Sequence, residues 1–325
     1  MAMMVTREDI DAARARLQQY AVETPLLRSP ALDEAVGGTV LIKPECLQRT
    51  GSFKFRGAFN RLSLIAPEDR ARGVVACSSG NHAQGVAEAA RILGMSVTIV
   101  MPADAPEIKL QRTRAFGAEV VTFDRGKDDR DAIAAEICGR TGATFVHPYN
   151  DPGVIAGQAT VGLEIAKQAK AMGQVPEAAM ACTGGGGLAS GIALALHYDL
   201  PDCDFYTAEP AGFDDYARSL ASGNIETNSQ LSGSVCDAIL TPSPGEVPFP
   251  ILKELARDGL VVSDDEALQA VAFAFRELKI VVEPGGAVAL AAVLSGKLDV
   301  KDRTVAVVLT GGNIDPAMLQ RALAL

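Results

Sequence analysis

Short β-rich apolar runs alternate with Ala-rich amphipathic stretches along this chain, the pattern of parallel strands with helices on their faces. The runs 73–77 (GVVAC), 96–101 (SVTIVM), 118–123 (AEVVTF), 144–146, 178–182 (AAMAC), 204–208 (DFYTA), 260–262 and 304–309 (TVAVVL) predict strands, most ending at a Gly, Ser, Pro or Asn cluster. Helices are predicted over 82–93 after Asn81, 106–116 opened by Pro106, 128–141, 153–171, 188–198 and 264–278 with Asp264 as N-cap. The N-terminal 20 residues also carry a helical period. The expected fold class is α/β, with open, twisted, mainly parallel sheets flanked by helices. Three or four βα repeats over 64–151 form a smaller domain inserted in a larger one built from 1–63 and 152–325. Ligands of such sheets bind beyond the carboxyl ends of the strands, so the strand-to-loop junctions are where chemistry is to be sought.

Composition narrows the partners. The 325 residues suffice for two domains with a core in each. Hydrophobic residues at 48%, charged residues at 22% and a mean hydropathy of +0.16 describe a globular chain rather than a disordered one. Lys and Arg total 30 against 40 Asp and Glu, and the net charge of -10 argues against nucleic acid and for a small molecule. Cys46, Cys77, Cys138, Cys182, Cys203 and Cys236 follow no metal or disulfide spacing, which fits a reducing cytosol. Neither an apolar signal core nor a run of membrane-spanning length is present, so a cytoplasmic protein without a membrane partner is expected.

Four segments could carry chemistry. Thr183-Gly184-Gly185-Gly186-Gly187-Leu188 lies between a strand and a helix, where converging N–H groups and a helix N-terminus make a phosphate cradle. A flexible turn would need fewer glycines, and no Lys-Ser or Lys-Thr follows as a Walker loop requires. Gly184, Gly186 and Ala189 also fit a loose dinucleotide fingerprint, with Glu209 placed as a ribose-binding acid. In Ser52-Phe53-Lys54-Phe55, apolar neighbours disfavour the ammonium form of Lys54 and leave a nucleophilic amine; a surface lysine lying over aromatics is the plainer alternative. Ser78-Ser79-Gly80-Asn81-His82 offers donors for a carboxylate, or an ordinary helix cap. Thr310-Gly311-Gly312-Asn313 ends a strand with a hydroxyl that could meet a ligand ring or cap a turn. The histidines form no triad or metal pair, so packing or capping is the expectation for His82, His147 and His197.

Together and in this order, SFKFRGA, SSGNHAQG, TGGGGLASG and LTGGN resemble the fold type II pyridoxal-phosphate enzymes, specifically the threonine/serine dehydratase and serine racemase family. The resemblance runs from Thr24 to Asn313. It implies that Lys54 binds the aldehyde of pyridoxal 5'-phosphate with Phe53 against the ring, and that Asn81 contacts the 3-hydroxyl. By the same likeness Gly184, Gly185, Gly186, Gly187 and Leu188 hold the phosphate, and Thr310, where the family commonly has serine, faces the ring nitrogen. Ser78, Ser79, Gly80, Asn81 and His82 would bind the substrate carboxylate, with Arg130, Tyr149 and Ser243 near its side chain. Glu283-Pro284-Gly285-Gly286 resembles the segment beside the cofactor.

The implied activity is an ammonia-lyase that dehydrates a β-hydroxy amino acid, L-threonine, L-serine or 3-hydroxyaspartate, to a 2-oxo acid, with Lys54 as general base. Ser79 keeps a serine- or aspartate-type racemase open, because family racemases carry serine there as the opposite acid/base, while dehydratases commonly carry alanine. A nicotinamide-dependent oxidoreductase is the distant alternative and explains only the glycines and Glu209. The resemblance also implies Mg²⁺ or Ca²⁺ on Glu209, Asp215 and the Phe213 carbonyl, in a structural role; the plain reading is that Asp214 and Asp215 cap the next helix. A homodimer or homotetramer is expected, without isoleucine control, since no regulatory domain follows.

Overall fold

The computed structural model describes residues 4–325 apart from Ser79, Pro106, Arg125 and the side chain of Ile108. Its strands are β1 (Leu27–Arg28), β2 (Thr39–Pro44), β3 (Val74–Cys77), β4 (Val97–Pro102), β5 (Glu119–Phe123), β6 (Thr144–Phe145), β7 (Ala178–Cys182), β8 (Asp204–Pro210), β9 (Ala256–Val262) and β10 (Thr304–Leu309). They form a six-stranded sheet in the order β1-β2-β10-β7-β8-β9 and a four-stranded sheet in the order β5-β4-β3-β6. Every pair is parallel except β1 with β2.

The helices are α1 (Arg7–Leu17), α2 (Pro30–Val36), α3 (Lys54–Ser63), α4 (Asn81–Leu93), α5 (Glu107–Ala115), α6 (Arg130–Thr141), α7 (Pro152–Met172), α8 (Gly187–Asp199), α9 (Asp215–Ser222), α10 (Pro248–Leu255), α11 (Asp264–Phe273), α12 (Pro284–Leu294) and α13 (Pro316–Leu323). One apolar layer joins α11 and α12 to the larger sheet, a second joins that sheet to α7 and α8, and a third fills the space between α3, α4 and the smaller sheet. No helix among the described residues is long and apolar enough to cross a membrane.

All eight strands and six helices read from the sequence are present, with two corrections. The cap of α11 is Ser263 and not Asp264: the Ser263 hydroxyl accepts from the Glu266 amide, and the Glu266 carboxylate accepts from the Ser263 amide at 2.7 Å. That helix also stops at Phe273, five residues short; a π-helical turn follows over Ala274–Leu278, and Lys279, at φ +58°, ends it. The predicted helix opener Pro106 lies outside the described residues. β9 starts earlier than 260, because an edge strand tolerates the polar Arg257 and Asp258.

Strand carboxyl ends place the chemistry. β3, β7 and β10 end at Cys77, Cys182 and Leu309, and each hands directly to one of the polar or glycine-rich loops. The lysine turn meets them from the side: Ser52 bridges Gly311, and the Phe53 amide donates to the Thr310 carbonyl at 3.1 Å.

Candidate active site

Lys54 opens α3 with its side chain half-buried, Nζ lying 5.1 Å from the centre of the Phe53 ring. Its hydrogen bond is to the Pro148 carbonyl, 3.1 Å away on the segment that leads from β6 into α7. Burial pushes the amine down to about 8, which puts a large neutral fraction near physiological pH. The preceding turn is strained, with Thr50 at φ +64°.

Asn81 opens α4, and its amide is held from both sides. Nδ2 donates to Glu283 Oε1 at 2.6 Å, while Oδ1 accepts from Asn313 Nδ2 at 2.7 Å. Asn313 also donates to the Thr50 carbonyl at 2.8 Å, so one chain of contacts links the end of β10, the lysine turn and α4. Burial raises the Glu283 carboxyl to about 7 against the pull of Asn81. Gly311 must be glycine here, since a Cβ would stand 2.0 Å from Glu283 Oε1.

The glycine loop joins β7 to α8. Ser190 makes the first helical bond, to the Gly186 carbonyl, so the amides ahead of it have no helical partner and point outward as an anion cradle. Gly186 sits at φ +93°, and a Cβ there would lie 1.9 Å from the Tyr216 hydroxyl, which donates to the Gly185 carbonyl at 3.1 Å. The Tyr149 ring lies over Gly185. Gly184 packs on the Ile239 backbone, Gly187 on Tyr149, and Leu188 is buried beneath. Thr310 is buried, its hydroxyl within hydrogen-bonding reach of the Cys182 thiol.

The carboxylate loop gives fewer contacts. The Ser78 hydroxyl accepts from the Gly80 amide at 3.2 Å, and Gly80 borders open space. Ser79 lies outside the described residues. His82 is buried with Nε2 3.0 Å from the Val146 carbonyl, and burial takes its pKa down to about 3. Arg130 begins α6 with an exposed side chain 3.6 Å from Asp131. Tyr149, expected at the substrate side chain, stands against the glycine loop. Ser243 is half-buried on the loop before α10.

Glu209 lies one residue before the end of β8 and caps α9, its two oxygens accepting from the amides of Tyr216 and Ala217 at 2.9 and 2.8 Å. Asp215 Oδ1 accepts from Asn228 at 2.6 Å, while Oδ2 is buried without a partner. Burial and the proximity of Asp215 push Glu209 well above the ordinary carboxylate range, and burial lifts Asp215 to about 6. Phe213 is buried on the turn between them. No cluster of three His, Cys, Asp or Glu fit for a metal occurs among the described residues.

A buried amine near its neutral point, a glycine cradle at a helix N-terminus and an aligned asparagine amide fit a phosphorylated aldehyde cofactor. A profile of the pyridoxal-phosphate dependent enzymes matches residues 17–311. The chain belongs to that family. This pyridoxal-phosphate enzyme is 43% identical over 307 residues to an L-threo-3-hydroxyaspartate ammonia-lyase of Pseudomonas sp., covering 94% of this chain and 95% of that one. It is 38% identical to a serine racemase of Schizosaccharomyces pombe, covering 96% and 95%. The crystal structure of a T.th. threonine deaminase superposes with a TM-score of 0.90 at 43% identity, over 95% of this chain and 99% of that one. The expected family and the fold, two mainly parallel sheets flanked by helices, are thus both borne out.

In this family member the structure brings Lys54, Asn81, Thr310 and the glycine loop to one set of strand ends and leaves Arg130 at its rim. Asn313 and Tyr216 escaped the sequence reading because their importance lies in what they touch. Asn313 stood in the LTGGN motif, the one available signal; Tyr216 carried none.

Proposed function

We propose that this enzyme is an ammonia-lyase that dehydrates a β-hydroxy amino acid, L-threonine, L-serine or 3-hydroxyaspartate, to a 2-oxo acid and ammonia. The observation that carries the reading is Lys54 Nζ, half-buried, held by a carbonyl and brought to about 8. Bound pyridoxal 5'-phosphate supplies an aldehyde carbon for the substrate amine and a ring that draws electrons from the α-carbon. Lys54 Nζ would hold that aldehyde, and as a half-buried amine brought to about 8 it is suited to take a proton from the substrate α-carbon. Phe53 would lie against the ring, and Asn81, held by Glu283 and Asn313, would present its amide to the 3-hydroxyl. The amides of Gly184 to Leu188 would hold the phosphate. The loop from Ser78 to His82 takes the substrate carboxylate, with Arg130 and Tyr149 at the far end of the pocket. Thr310 would offer the ring nitrogen a neutral hydroxyl instead of a carboxylate.

Two carboxylates, a carbonyl and an unsatisfied Asp215 Oδ2 suit a hard cation, and we assign Mg²⁺ or Ca²⁺ to Glu209, Asp215 and the Phe213 carbonyl in a structural role. Residues 64–151 form the smaller domain. Six free thiols support a cytoplasmic setting, and exposed Leu231 and Leu47 support assembly as a homodimer or homotetramer.

Release of 2-oxo acid from L-threonine, L-serine and the 3-hydroxyaspartate isomers tests the reading: Lys54→Ala is expected to abolish it, and retained turnover would sink it. The likeness to a serine racemase, with Ser79 in the sequence, supports racemisation as a second activity, for which Ser79→Ala is expected to stop enantiomer exchange and spare 2-oxo acid release.

A further inference from the structure

His147 stands where the chain crosses Lys54, one residue before the Pro148 carbonyl that takes the lysine's hydrogen bond. Its Nδ1 accepts from two backbone amides, Tyr149 at 3.3 Å and Asn150 at 2.8 Å. A nitrogen that accepts cannot carry the proton, so the neutral ring bears its hydrogen on Nε2. The ring is fixed in direction as well: it meets the Tyr149 ring edge-on at 4.6 Å, with Phe145 on its other flank at 6.1 Å. Nε2 has no partner among the described residues and is not sealed from solvent, whereas His82, with the same tautomer, has its spare nitrogen closed off. Burial and the nearby Lys54 amine hold the His147 ring down to about 4, so it stays neutral.

A neutral N–H donor beside the base, rigid and without a partner, is suited to an oxygen acceptor on the substrate. We propose that Nε2–H of His147 binds a side-chain oxygen of the substrate, of a hydroxyl on the β-carbon or of a carboxylate attached to it, and so selects amino acids that carry one. The inference rests on the ammonia-lyase reading and names what that site recognises. Arg130, whose charge acts on both the His147 and Tyr149 rings from the rim, would favour a second carboxylate further.

The test compares two unreactive amino acids on the cofactor-loaded enzyme, following the cofactor absorbance at equilibrium. L-aspartate has side-chain oxygens and no β leaving group; L-2-aminobutyrate has threonine's chain length and no side-chain oxygen. In His147→Asn the side-chain oxygen still accepts the Tyr149 and Asn150 amides and the ring donor is gone. The expected result is about a tenfold loss of L-aspartate affinity, one hydrogen bond's worth, with L-2-aminobutyrate unchanged. His147→Leu should show the same selective loss together with a lower melting temperature. Equal weakening of both ligands, or of neither, would overturn the proposal and leave His147 as a turn cap. Release of 2-oxo acid by the wild-type protein is measured alongside: its absence defeats the lyase reading, while the ratio of the two affinities still judges His147.

Discussion

Around Arg56 four charged side chains are packed with each charge answered by its opposite; around Glu209 two carboxylates are packed with no ion pair to either among the described residues. In the first cluster Arg56 makes paired contacts of 2.7 and 2.8 Å to Glu45 and of 2.6 and 2.9 Å to Glu164, and adds Thr160 and the Val22 carbonyl. Lys43, fully buried on β2, reaches Glu164 and the Thr24 carbonyl, both at 2.6 Å. Burial alone would raise Glu45, yet Arg56 and Lys43 hold it below its ordinary value. In the second cluster backbone amides and Asn228 oppose burial without matching it, and both Glu209 and Asp215 are pushed up. The fold completes the first set of charges, and by doing so pins α3, two residues from Lys54. The second set has no cation paired with it among the described residues to complete it.

Breaking the first cluster should have the largest effect. Arg56→Met leaves Glu45 and Glu164 buried without their main partner, at an expected cost of about 3–5 kcal/mol, read from the midpoint of urea unfolding. Supplying the missing partner of the second comes next. Mg²⁺ or Ca²⁺ at a hundredfold excess over its Kd should stabilise the protein by about 3 kcal/mol in thermal unfolding. The double change Glu209→Gln and Asp215→Asn should erase that gain, whereas Arg56→Met should leave it.

The sharpest contrast is one of sign. In chelator, Asp215→Asn is expected to raise stability by about 1 kcal/mol, because it removes a like charge and keeps the Asn228 contact. Glu45→Gln should lower it, measured the same way. Glu283 is the intermediate case, a buried carboxyl answered by an amide. Raised to about 7 in the folded chain, it holds its proton between about 4.5 and 7 while the unfolded chain has released it. Its contribution to stability is therefore present at low pH and lost as pH rises through that window. Subtracting the melting curve of Glu283→Gln from that of the wild type at each pH should isolate the fall, and a flat difference would contradict it.

How much of this was legible in the sequence depended on whether the signal was local. β10 and α7 announce themselves by period and by their flanking turns. β2 does not, because Lys43 reads as a surface residue and only Glu164, 121 residues on, makes it a core one. Likewise α12, PGGAVALAAVL, is apolar all round, so no face marks it as helical. The site divides in the same way. Lys54 and the glycine loop stand out in composition and through likeness to a family. The tether on Asn81 joins positions 202 and 232 residues apart, and the fixed tautomer of His147 depends on how a backbone turn closes. Neither leaves a trace in spacing.

The place of β10 in its sheet also sets a timetable. It lies between β2 and β7, and the turn that follows it clasps the lysine turn through Thr310, Gly312 and Asn313. At about 5 to 20 residues per second a ribosome adds Leu309 roughly 10 to 50 s after Lys54. Through that interval β2 has only β1 beside it, and the Lys54 turn lacks its partners on Thr310, Gly312 and Asn313. Lys54 is thus synthesised early and seated late, and its turn is not closed until the middle strand of the sheet has arrived.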